Sequence, residues 1–80
     1  MWAAYGALAP AGRLVYARTM ERAARGDWDA AVAGYAADMA CLAGRAPGSE
    51  RVGRLRSAAP DVPRFQACLL EFLAEAKFLG

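Results

Sequence analysis

Apolar residues return at helical spacing through most of this chain, and glycine and proline mark where each run stops. Trp2, Tyr5 and Leu8 recur every third residue, which predicts a short helical turn ended by Pro10. A first long helix is predicted over about 12–25. Tyr16, Ala17, Met20, Ala23 and Ala24 share one arc of its wheel, and Arg18, Thr19, Glu21, Arg22 and Arg25 lie opposite. Gly26 supplies the left-handed residue that closes such a helix. Asp27 is then the expected N-cap of a second helix over about 28–43, and Asp29 places negative charge in its first turn. Trp28, Val32, Tyr35, Met39 and Leu42 follow at alternating steps of four and three, a seam of structural anchors that requires a facing helix. The short Gly26 turn makes the first helix the antiparallel neighbour, with the Trp28 ring expected against Met20 or Ala24.

Gly44-Arg45-Ala46-Pro47-Gly48 reads as a loop. Ser49 is the expected cap of a short segment over about 50–58, with Val52, Leu55 and Ala59 inward. Pro60-Asp61-Val62-Pro63 breaks the chain again and opens a last helix over about 62–79, capped by Asp61, with Pro63 in its first turn. Phe65, Cys68, Leu69, Phe72, Leu73, Ala76 and Leu79 form its broad apolar stripe. Leu70 and Phe78 fall on the other side, with Ala67, Ala74, Glu71 and Lys77 around them. A second apolar face on one helix has two solutions. Either the Trp2-Tyr5-Leu8 segment straps over it, or Leu70, Phe78, Ala67 and Ala74 form a partner-binding surface.

Composition narrows the fold. Hydrophobic residues make up 58% of the 80, but 21 of them are alanine, which favours helix while burying little area. Isoleucine is absent, and β-branching comes only from four valines and one threonine. The expectation is an all-α single domain over 1–80: a small antiparallel bundle of three main helices plus a short connecting helical segment. The apolar surface left over by so small a bundle makes a homodimer the expected state.

The chemical inventory is thin. There is no histidine, so the commonest general base and neutral metal ligand are missing. Ser49 and Ser57 have no base beside them, no glycine-rich phosphate cradle exists, and Asp27 and Asp29 are accounted for by capping. No catalytic, cofactor or metal residue is assigned, and an enzyme is not expected. Cys41 and Cys68 lack metal-ligand spacing and occupy apolar helical positions, so buried structural thiols are expected ahead of a disulfide or a redox role. Net charge is only +2, but Arg45, Arg51, Arg54, Arg56 and Arg64 outnumber Glu50 and Asp61 locally. Arg51, Arg54 and Arg56 are therefore candidates for phosphate contacts, a reading held back by the near-neutral total. The N-terminal residues carry no cationic leader, and Pro10, Gly12 and Arg13 interrupt any apolar run. That points to the cytoplasm and against a membrane span.

The stretch Met20-Glu21-Arg22-Ala23-Ala24-Arg25-Gly26-Asp27-Trp28-Asp29-Ala30-Ala31-Val32 resembles the FliT family of flagellar export chaperones, over roughly residues 12–45. The resemblance implies a small helical bundle that binds other flagellar proteins and uses a C-terminal helix in partner control. Gly26-Asp27-Trp28, Ala31-Val32 and Tyr35 also resemble the middle of a tetratricopeptide repeat. The first half of that pattern is absent, with Arg18, Thr19 and Arg22 in its place, and one half-repeat makes no solenoid. The expected function is a chaperone or adaptor docking a partner helix, as in flagellar or type III secretion chaperones. A small phage or bacterial inhibitor that blocks a larger complex is the alternative, and an arginine-mediated nucleic-acid binder is the third reading.

Overall fold

The computed structural model describes residues 5–76, which form four helices and no strand. They are α1 (Pro10–Ala24), α2 (Trp28–Leu42), α3 (Ser49–Ala58) and α4 (Val62–Glu75). The fold is all-α, two helical hairpins packed on one another.

Local chemistry sets the hairpin ends. Gly26 takes φ +78°. Its N–H donates to the Ala23 carbonyl at 2.9 Å, and the Asp27 N–H reaches back to the Arg22 carbonyl at 3.2 Å. This is the paired closure of a Schellman end, and it needs a residue that tolerates positive φ. The Asp27 carboxylate then accepts from the Ala30 N–H at 3.3 Å. Asp61 does the same for α4, accepting from the Arg64 N–H at 3.2 Å. Two starts differ from expectation. Pro10 is itself in the first turn of α1, where its missing N–H costs nothing. Ser49 is the first residue of α3, behind an extended Gly48, and its side chain caps nothing.

The second hairpin is antiparallel, fixed by crossing ion pairs. Arg51 meets Glu75 at 2.9 Å and Arg54 approaches Glu71 at 3.9 Å, so later residues of α3 pair with earlier ones of α4. Exposed pairs like these set register more than stability.

α4 packs against α1 and α3 and receives aromatic rings from α2. Trp28 meets Phe65 edge-on, ring centroids 5.0 Å apart, and Tyr35 lies beside Phe72 at 6.5 Å. Trp28 and Tyr35 of the α2 seam thus reach α4 with their rings, while α1 is the main neighbour of α2, as expected. Contact between α1 and α2 runs instead through small residues: Ala23 and Ala31 are buried, and Arg22 lies across Gly34. Val32, Tyr35 and Met39 are buried, while Trp28 and Leu42 are half-buried.

The buried face of α1 is Gly12, Val15, Thr19 and Ala23. Thr19, expected at the surface, is fully buried, and Ala17 and Ala24, expected inward, are exposed. Small residues allow α2 to come close, and the seat for an approaching helix follows the smallest side chains instead of the largest. Cys41, expected inside, is exposed because it lies on the side of α2 away from Tyr35 and Met39.

Candidate functional site

Leu70 is 6% exposed and belongs to the core cluster, together with Leu8. This corrects its assignment to a partner-binding face. One turn earlier, Gln66 Nε2 donates to the Tyr16 hydroxyl, so this side of α4 lies against α1. The Tyr5 ring packs on Tyr16, centroids 5.2 Å apart. The Gln66 and Leu70 side of α4 is thus covered from within the chain by α1. Trp2 and Phe78 lie outside the described residues. Ala67 and Ala74 are exposed.

Ala67 belongs to a different feature, an open groove of about 620 Å³ between α3 and α4. Its floor is small: Gly53, Ser57 and Ala58 from α3, Ala67 and Cys68 from α4. Its rims are Glu50 and Arg54 on one helix, Arg64 and Glu71 on the other. Both walls follow helical spacing, with 50, 53, 54, 57 and 58 on one stripe and 64, 67, 68 and 71 on the other, each about two turns long.

The groove is chemically quiet. The Ser57 hydroxyl donates to the Gly53 carbonyl at 2.9 Å and is turned back on its own helix. Burial pushes the Cys68 thiol upward, with Arg54 pulling the other way, so the reactive thiolate is disfavoured. Among the described residues no group of three or more His, Cys, Asp or Glu is placed to hold a metal ion. No helix among them is long and apolar enough to cross a membrane.

The candidate phosphate-binding arginines are largely committed elsewhere. Arg51 and Arg54 pair with Glu75 and Glu71, and their guanidinium carbons sit 5.6 and 5.2 Å from the centre of the buried Phe72 ring. That ring screens their stems and the glutamates offset their charge. Arg56 remains exposed.

One charged cluster escaped sequence reasoning altogether. Asp38 is on the inner side of α2, its carboxylate 3.3 Å from Arg18 Nε and 3.4 Å from Arg22 Nη1. The carboxylate is 13% exposed, against 51% for Arg18 and 27% for Arg22. The missed signal was the side-chain-free Gly34, one turn before Asp38, which opens the path for Arg22. The cluster reads as structural, because each charge already has its partner. Comparison with known protein families, with curated proteins and with solved structures finds no match to this chain.

Proposed function

We propose that this protein is a non-enzymatic interaction module, a small chaperone or adaptor that accepts a helix of another protein along the α3–α4 groove. The observation that carries this reading is the groove's form. Two helical walls of matching length stand over a floor of glycine, alanine, serine and cysteine, with one acid and one arginine on each rim. A small-residue floor lets a third helix approach closely, and Glu50 and Arg64, the rim charges outside the Arg54–Glu71 pair, give it a register. The resemblance of residues 20–32 to flagellar export chaperones supports the same class of partner, a helical segment held before assembly or export. The pairing of Arg51 and Arg54 with glutamates favours a protein partner over nucleic acid.

The test uses Ala67→Trp, which fills the groove from an exposed position. Proteins encoded beside the gene are titrated calorimetrically with the parent and the variant. The expected result is unchanged melting with binding weakened roughly tenfold or more. A variant that binds the same partner as tightly as the parent overturns the groove assignment. Whether the bound partner keeps its own activity distinguishes a chaperone from an inhibitor.

A further inference from the structure

The four charges on the rims of the α3–α4 groove are not equivalent. Arg54 and Glu71 face one another across it, 3.9 Å apart, and offset each other. Glu50 and Arg64 line it too, both exposed, and neither side chain has an ion-pair partner among the described residues. The register of the hairpin holds these two far apart. Pairing of Arg51 with Glu75 and of Arg54 with Glu71 sets Glu50 level with the last residues of α4, whereas Arg64 stands in its first turn. The separation is about three turns, roughly 17 Å along the helix axis. Between the two ends the floor offers no charge: Gly53, Ala58 and Ala67, Cys68, and a Ser57 hydroxyl already bonded to the Gly53 carbonyl. The groove is therefore a trough with an unpaired base at one end, an unpaired acid at the other and a neutral middle.

An occupant has to answer both ends at once. Two like charges would suit one end and be repelled at the other, and a polyanion drawn to Arg64 would meet Glu71 and Glu50. We infer that the groove takes a helix of a partner protein that presents one acidic and one basic side chain about three turns apart, with small uncharged residues between them on the same face. The acid faces Arg64 and the base faces Glu50. A spacing of eleven residues, the same as from Arg64 to Glu75, comes close to three whole turns, so both charges project to one side of the partner helix. The residues between them stay small because Arg54 and Glu71 stand across the groove with no charge to spare, and because the floor admits a helix only at close range. The pattern is defined by the two ends and holds for either chain direction of the bound helix. It rests on the reading of the groove as a helix seat and adds what that helix carries.

Three alanine-rich synthetic peptides of about 20 residues, long enough to hold a helix, provide the test. They differ only at two positions eleven residues apart, which carry an acid and a base, two acids, or two bases. Each is titrated into the isotopically labelled full chain and followed by two-dimensional NMR. The parent should bind the mixed peptide roughly three- to tenfold more tightly than either like-charged one, with shifts centred on Gly53, Ser57 and Ala67. Glu50→Lys should transfer the preference to the two-acid peptide and Arg64→Glu to the two-base peptide, an exchange that a loosened fold would not produce. Equal binding of all three peptides in the groove overturns the charge pattern and leaves the helix seat standing. Binding that Ala67→Trp leaves unchanged overturns both. The pattern also fails if none of the peptides binds up to millimolar concentration. Shifts at the same residues that depend on protein concentration alone, without peptide, would give the groove to a second copy of the chain and overturn it as well.

Discussion

Two buried hydroxyls bear directly on stability. Tyr35 and Thr19 are both fully buried, and neither Tyr35 Oη nor Thr19 Oγ1 has a hydrogen-bond partner. An orphaned hydroxyl in the core costs its desolvation without return. Tyr35 contributes through its ring, which packs beside Phe72, so Tyr35→Phe keeps the packing and removes the unpaired group. The variant should melt higher, by about 1 kcal/mol in unfolding free energy. A pH effect follows from the same burial. Desolvation raises the Tyr35 pKa, only partly opposed by Arg51, and burial also raises that of Cys68. In each case the folded protein holds its proton at a pH where the unfolded chain has released it. Their contribution is complete below the unfolded values, about pH 8.5 for a thiol and 10 for a phenol, and is lost as pH rises above them. Denaturant melts from pH 8 to 11 should therefore show stability falling in the alkaline range. Tyr35→Phe should flatten the part above about pH 10 and leave the thiol part in place. An identical alkaline slope in the variant would rule out Tyr35 as its source.

At the scale of the element, what could be read from sequence was what local chemistry decides. The Asp27 and Asp61 caps and the Gly26 reversal depend on a few neighbouring residues, and all three are found where the sequence places them. The face each helix turns inward was less legible. In α1 the large Tyr16 and Met20 suggested the core arc, yet they are half-buried and Val15 and Thr19 are sealed. A helix with little contrast between its faces has its phase set by the neighbour it meets. Here that neighbour arrives over Gly34 and Ala31. The Asp38 cluster was illegible for the same reason, since its arginines lie on another helix. The groove was half legible. Ala67 was singled out, but its neighbours Gly53 and Ser57 come from a helix whose register is set by tertiary contacts, the buried Leu55 and Ala58 and the crossing ion pairs. Glycine substitutions separate local from tertiary control. Gly26→Ala forces a side chain into positive φ with no atom nearby to clash, and should cost about 1–2 kcal/mol. Gly53→Ala, inside α3 and facing open space, should instead gain about 0.5–1 kcal/mol. Thermal melts showing both changes with the same sign would contradict this account.

At the scale of the whole molecule, the two-faced last helix is resolved by position. α4 is enclosed by α1 on one side, by α3 on another, and by the Trp28 and Tyr35 rings of α2. Phe65, Leu69, Leu70, Phe72 and Leu73 are all buried on it, more than one stripe could accommodate. Among the described residues the only large hydrophobic side chains classed as exposed are Leu14 at 46% and Val62 at 44%. What remains open is small, namely the alanines of α2 and the floor of the groove. Leu70 therefore tests the architecture. If its side chain served a partner, Leu70→Ser would leave the monomer intact. Buried beside α1, it should instead leave a cavity and an unpaired hydroxyl in the core. The expected cost is about 3 kcal/mol or more, a large part of what so small a domain possesses. Urea melts should show the midpoint falling sharply. The proteins should be compared at a concentration where both are monomeric, so that any change in association cannot stand in for folding. Ala74→Ser, on the exposed side of the same helix, should move the midpoint little. A Leu70→Ser protein that melts like its parent would mean that α4 turns a genuine second face outward, and that the covering by α1 is weaker than its geometry implies.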